Sequence, residues 1–236
     1  MDDVRVCTIG YGNMGTGNTN HLVEKIPGAV VSAVCDNDPK RLEAAREKFG
    51  DTVQYFDSPD AFFASDAADA VYIATPHYDH PPLAIKALEK NMHVLVEKPA
   101  GVYTRKVREM NEVAEKSDRV FGIMLNQRTS PLHQKCRDLV QSGEIGEVRR
   151  TNWIITTWFR SQAYYNSGGW RATWSGEGGG VLLNQCPHNL DLWQWLGGMP
   201  TRIHAFCQFG KYHDIEVEDV VNAYAEYENG ATGSFI

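Results

Sequence analysis

Gly10-Tyr11-Gly12-Asn13-Met14-Gly15 carries three glycines at a spacing that lets a backbone turn sharply and approach a pyrophosphate closely. If a strand precedes them and a helix follows, the unpaired N–H groups around Asn13 and Met14 and the positive end of the helix dipole face the phosphates. Asp36 closes the next apolar run, where a carboxylate can accept from both hydroxyls of an adenosine ribose. Asp36 with Asn37 and Asp38 beside it would repel a 2′-phosphate, which favours NAD, although Lys40 and Arg41 leave some room for NADP. The plainer reading of the same residues is a structural turn and an N-capping aspartate. Farther on, Thr75, Pro76, His77 and His80 lie in the connector ATPHYDH, and Glu97-Lys98-Pro99 in a second connector. A lysine at the carboxyl end of a strand points into the crevice where open α/β sheets bind ligands, and the acid beside it can hold it there. Read alone, each connector is also an ordinary surface turn.

These residues can act together only if a series of parallel strands ends beside them. Apolar, β-rich runs at 4–9, 29–35, 70–74, 93–96 and 120–125 alternate with helix-forming segments at 14–26, 38–49, 82–90 and 104–116. Repeated β-α units of this length predict an α/β, doubly wound parallel sheet, a Rossmann-type dinucleotide-binding domain over 1–126. The texture then changes. A helix at 132–141 leads to an alternating strand at 148–158, a long aromatic, glycine-rich loop at 159–180 and a helix at 187–196. Strands at 202–209, 220–228 and 231–236 follow, the last two joined by the hairpin signal Asn229-Gly230. Residues 127–236 therefore read as an α+β domain with an open, mainly antiparallel sheet.

Composition limits what such a chain can meet. Among 236 residues, 30 acids against 23 bases give a net charge of −7, so no field gathers a nucleic acid or an anionic membrane. The five cysteines show no metal-type spacing and suit reduced thiols. An acidic start and the lack of a long apolar run lead us to expect a cytoplasmic protein. Cys186, His188 and Asp191 lack a fourth ligand, so no metal is expected.

The glycine turn, Asp36, ATPHYDH, Glu97-Lys98-Pro99 and the run from Gly178-Gly179-Gly180 through Asn184 and His188 to Asp191 are collinear over nearly the whole chain. Together they resemble the glucose-fructose oxidoreductase, inositol dehydrogenase and MocA family of sugar-handling dehydrogenases. The resemblance implies a Rossmann domain followed by an open sheet whose face covers nicotinamide and substrate. It implies hydride transfer at a carbohydrate or cyclitol hydroxyl, with Lys98 beside the reacting hydroxyl and His188 as base. Pro187 suits a first helical position, so His188 falls in a first turn, where the dipole disfavours imidazolium and keeps the ring neutral. The aromatic loop carries Trp158, Arg160, Tyr164, Tyr165, Trp170 and Arg171, suited to a sugar's apolar face and oxygens. Tyr164 and the Trp170-Arg171 pair join Lys98, Asn184 and His188 as expected substrate contacts, with Asn184 expected beside Lys98 and His188 in catalysis and Glu97 and Lys98 expected at the cofactor.

Two features depart from the family pattern. Many members carry an aspartate where this chain has Asn184, and an amide supplies no negative charge to an imidazolium. Family chains also continue beyond the position of Ile236, so either this is a shortened product or a partner chain covers the strand edge left there. A homo-oligomer through the second sheet is expected. Two other functions fit the same residues: a lyase or glycosidase-like enzyme that uses bound NAD transiently, and a non-catalytic NAD-binding regulator or inactive fragment.

Overall fold

The computed structural model describes residues 3–156 and 159–236. It divides into two units, one ending at Met124 and the other beginning at Leu125. In the first, strands β1 (Val4–Ile9), β2 (Ala29–Cys35), β3 (Gln54–Phe56), β4 (Ala70–Ile73), β5 (His93–Val96) and β6 (Phe121–Ile123) form one sheet in the order β3-β2-β1-β4-β5-β6. All pairings are parallel. The direction of winding reverses between β1 and β4, the point at which such sheets open a crevice beyond their carboxyl ends.

Helices α1 (Asn13–Lys25), α2 (Pro39–Phe49), α3 (Pro59–Phe63), α4 (His80–Glu89) and α5 (Thr104–Glu115) supply the crossovers. The short β3 and α3 are additions to the expected elements. The start of α3 is written in the chain: Ser58 caps it by accepting from the Ala61 N–H at 3.4 Å, and Pro59 occupies its first turn. The inner strands are apolar on both faces because helices cover both. Cys7, Ile9, Phe62, Val71, Ile73, Val96 and Met110 are enclosed in one core.

The second unit contains α6 (Pro131–Gln141), β7 (Arg150–Trp153), α7 (Gln162–Tyr165), α8 (Pro187–Gly197), β8 (Arg202–Phe209), β9 (Glu218–Glu226) and β10 (Thr232–Phe235). Its four strands lie in the order β7-β10-β9-β8, with β10–β7 parallel and the other two pairings antiparallel. This corrects the expectation of an unpaired last strand. β10 lies inside the sheet, pairing with β9 on one side and β7 on the other, so the edges are β7 and β8. β7 is also shorter than the expected 148–158, of which 157–158 lie outside the described residues. Trp193 and Phe235 pack across α8 and β10, their rings tilted by 42° with centroids 5.5 Å apart, and the Trp193 indole donates to Thr151 Oγ1 at 2.9 Å. Among the described residues, no helix is long and apolar enough to cross a membrane.

Candidate active site

In the first unit the glycine turn joins β1 to α1. A side chain at Gly15 would set its Cβ 1.8 Å from the Gly10 carbonyl oxygen, so only glycine lets α1 start this close to the end of β1. The helix opens with no side-chain cap and no acid in its first turn. Asn13 and Met14 are exposed there. Gly12 would bring its Cβ within 4 Å of nothing but the Arg41 guanidinium. Nearby, at the end of β4, the Thr75 hydroxyl oxygen is buried without a hydrogen-bond partner. A helix N-terminus left uncapped, a bare glycine approach and an orphan hydroxyl at the same sheet edge fit a dinucleotide phosphate.

Asp36 is 5% exposed at the end of β2. Its Oδ2 accepts from the Tyr11 N–H at 2.6 Å, its Oδ1 from the Asp38 N–H at 2.8 Å, and Arg41 approaches Oδ2 at 3.3 Å. The carboxylate thus ties the glycine turn to the start of α2, whose own cap is Asp38, accepting from the Lys40 N–H at 2.9 Å.

At the next strand ends, Pro76 is exposed and His77 buried. His80 has no exposed surface, and its ring nitrogens lie 2.7 Å from the Pro99 carbonyl and 2.8 Å from that of Thr75. The residue therefore bridges the two connectors. Burial lowers its pKa, and the two carbonyls pull the other way. Glu97 is buried as well, accepting from the Tyr72 hydroxyl at 2.6 Å, the Asn18 amide at 3.1 Å and the Lys98 N–H at 3.2 Å. Burial first and the Glu97 charge second raise the Tyr72 pKa, which keeps that phenol a donor. Glu97 anchors the strand end that presents Lys98, itself half-buried. Asn18 and Tyr72 were not foreseen as its partners.

In the second unit Pro187 and His188 occupy the first turn of α8. Just before it, Val181–Gln185 form a π-helical turn held by Glu218, whose carboxylate accepts from the Gly180 N–H at 2.9 Å and the Leu182 N–H at 3.1 Å. A Cβ on Gly180 would lie 2.0 Å from the Glu218 carbonyl oxygen, so the last of the three glycines lets this turn seat against β9. Asn184, on the turn, is buried and donates its amide to Glu177. Glu177 is 1% exposed and also accepts from the Ala172 N–H at 2.7 Å.

The aromatic loop forms one linked cluster. Arg171 donates to the Tyr164 hydroxyl at 2.7 Å and lies 4.7 Å over the Trp170 ring. Gln185 donates to the same hydroxyl at 3.0 Å and accepts from Arg160 at 2.9 Å. The structure thus brings together Tyr164, Trp170 and Arg171, and ties them through Gln185 to the turn that carries Asn184. Trp158 lies outside the described residues. Asp191 is bound by Arg128, with 2.7 Å between Nε and Oδ2. Sequence reasoning missed Glu177, Gln185 and Glu218. An acid immediately before three glycines was the available signal for the first, since a backbone folded tightly there has N–H groups to satisfy.

Comparison with known proteins agrees with this geometry. Residues 4–125 match the oxidoreductase family with an NAD-binding Rossmann fold, and residues 133–236 match the GFO/IDH/MocA C-terminal domain. The chain belongs to the Gfo/Idh/MocA oxidoreductase family. It is similar to the D-glucoside 3-dehydrogenase of Escherichia coli, 30% identical over 220 residues that span 84% of this chain and 59% of the relative. It is 28% identical over 196 residues to an inositol 2-dehydrogenase of Corynebacterium glutamicum, spanning 83% of this chain and 54% of the relative. The chain thus spans little more than half the length of these curated relatives. The crystal structure of the WlbA dehydrogenase of Chromobacterium violaceum, in complex with NADH and UDP-GlcNAcA, superimposes with a TM-score of 0.92 at 30% identity. That likeness covers 100% of this chain and 67% of the other.

Proposed function

We propose that this chain is an NAD-dependent dehydrogenase acting on a hydroxyl carbon of a sugar, glycoside or cyclitol. The observation that carries the reading is the uncapped, acid-free start of α1 beside the Asp36 carboxylate and the orphan Thr75 hydroxyl. Gly10, Gly12, Asn13, Met14, Gly15, Asp36, Thr75, Pro76 and His77 would hold the dinucleotide, with Lys98 presented at the same sheet edge. When bound, the nicotinamide supplies the hydride acceptor or donor. Proton transfer falls to the chain itself. Lys98, at the end of β5, holds the reacting oxygen by its ammonium and relays a proton. His188 takes the hydroxyl proton as a neutral base, a state that its place in the first turn of α8 favours because the helix dipole opposes imidazolium. Tyr164, Trp170 and Arg171 offer ring faces and a guanidinium donor to a carbohydrate. The names of the curated relatives and of the WlbA complex support a substrate of this class.

A dye-coupled screen of hexoses, hexosides, nucleotide-linked sugars and inositols with NAD tests the reading. Net NADH formation with at least one of them is expected. Conversion of a substrate without accumulating NADH would instead mark a transient use of the cofactor, and absence of NAD binding would remove the proposal.

Self-association through the second sheet belongs to the same proposal. All eight residues of β8 are exposed, including Ile203, Phe206 and Phe209, with Tyr224 of β9 on the face shared by His204 and Phe206. An edge strand with this much apolar surface is a template for pairing. Sedimentation velocity should show a dimer or larger, shifted toward monomer by Phe206→Glu. A stable, freely soluble monomer of the unaltered chain would contradict the assignment.

A further inference from the structure

We propose that a cavity on the opposite edge of the first unit's sheet from the glycine turn binds a small phosphate ester, a reading independent of the dinucleotide proposal. The glycine turn, Asp36 and Lys98 all follow the carboxyl ends of strands. At the amino ends of β4 and β5, where Ala70 pairs with His93, the structure holds a separate cavity of about 510 Å³. Small-molecule pockets span roughly 300–1,000 Å³. Phe63, Ala68 and Met92, all buried, supply its apolar lining. The rest of the lining is charged. Asp66 and Asp69 precede β4, Lys90 follows α4, and Arg119 lies just before β6.

Donors and acceptors on this lining are out of balance. Asp69 Oδ2 accepts from the Arg5 N–H at 2.9 Å and from Arg5 Nε at 3.2 Å, and its Oδ1 from Arg5 Nη2 at 2.7 Å. Asp66 lies 3.8 Å from the same Nη2. Arg5 thus answers both acids. The donors have no such partners: among the described residues no acid lies within ion-pair distance of Lys90 or Arg119, and Arg119 Nε is buried without an acceptor. His93 Nδ1 accepts the Val120 N–H at 2.9 Å, which puts the ring's proton on Nε2 as a third donor. Native proteins leave few buried donors unmet, so this lining calls for an acceptor. The Arg119 side chain is only partly buried as a whole, which leaves its guanidinium within a ligand's reach. The carbonyl end of α4 would oppose an anion, but the chain closes it through the left-handed turn at Asn91, φ 63°. There the N–H groups of Lys90, Asn91 and Met92 donate to Lys86, Leu88 and Ala87 at 2.9–3.1 Å. Three donors from three separate elements suit the three oxygens of a phosphate better than the two of a carboxylate, and a guanidinium fork matches phosphate geometry. A bare phosphate would leave much of the volume empty, and the apolar lining takes the ester's organic body.

The test is calorimetric titration of the purified chain with glycerol 3-phosphate, inorganic phosphate, succinate and glycerol at constant ionic strength, with and without excess NAD. Glycerol 3-phosphate is expected to bind more tightly than inorganic phosphate or succinate, and glycerol not to bind. Excess NAD should leave the event in place, which separates it from a phosphate held at the start of α1. Arg119→Met and Lys90→Met should each weaken it about 10-fold, the effect of removing one charge-assisted hydrogen bond. In proton NMR the His93 imidazole signal, identified by its loss in His93→Gln, should shift during the titration. Circular dichroism establishes that each variant is folded, and Lys90, being exposed, keeps the test open if Arg119→Met does not fold. Absence of binding by both phosphates would overturn the site, as would a His93 signal that stays put or succinate bound as tightly as glycerol 3-phosphate. Unchanged affinity in the folded variants, with NAD displacing the phosphate, would overturn it too and assign the anion to the glycine turn.

Discussion

Lys98→Met and His188→Ala are each expected to lose about 10²- to 10⁴-fold in turnover while binding NAD nearly as well as the unaltered chain. That range corresponds to about 3–5 kcal/mol of transition-state stabilisation, what a well-placed proton donor or acceptor contributes. The cofactor should stay bound because the groups proposed to receive its phosphates and adenosine ribose sit elsewhere, at the start of α1 and the end of β2. The two variants should differ in their pH dependence. Removing His188 should abolish the acidic limb of the kcat/KM profile, since that limb reports protonation of a base. Removing Lys98 should leave the acidic limb in place and lower the plateau. The assay takes its substrate from the screen described above, with cofactor binding measured separately. A folded variant that turns over at near-normal rate would take its residue out of the mechanism.

The parts of the fold that could be read from residues alone are those specified locally. β1, the glycine turn and α1 follow one another within 22 residues, from Val4 to Lys25, and each announces the next. Pro187 at a first helical position placed His188 in the first turn of α8 by the same short-range logic. What could not be read depends on partners far apart in the chain. β10 pairs in parallel with β7, placing Thr232 opposite Arg150, and no turn signal between them encodes that choice. The carbonyl that meets the Nδ1 of His80 comes from Pro99, 19 residues on, and no local signal encodes that partner. Asn184 was legible as a departure from the family pattern. The acid that takes up its amide was not, because Glu177 is enclosed only when the loop from Ala172 folds back upon it.

That enclosure makes Glu177 the position where one substitution in the second unit should cost most in stability. The side chain is 1% exposed and accepts from the Ala172 N–H on one oxygen and from the Asn184 amide on the other. Ala172 has a φ of 55°, a conformation disfavoured for a residue with a Cβ, so the loop is held in place by its bonds and not by local preference. Glu177→Ala leaves two buried donors without their acceptor, each worth about 1–3 kcal/mol, and opens a cavity besides. Urea unfolding should therefore lose about 3–6 kcal/mol. Glu177→Gln keeps the volume but turns an amide N–H toward one of those donors, so it should still lose about 2 kcal/mol. The two variants also carry a spectroscopic reading. Burial first and the Glu177 charge second push the Tyr165 phenol up to about 12. In Glu177→Gln the second cause disappears while burial stays, so ultraviolet titration should show that phenol ionising at lower pH. A Glu177→Gln variant as stable as the unaltered chain, with Tyr165 unmoved, would mean that the carboxylate is not what ties Ala172 to Asn184.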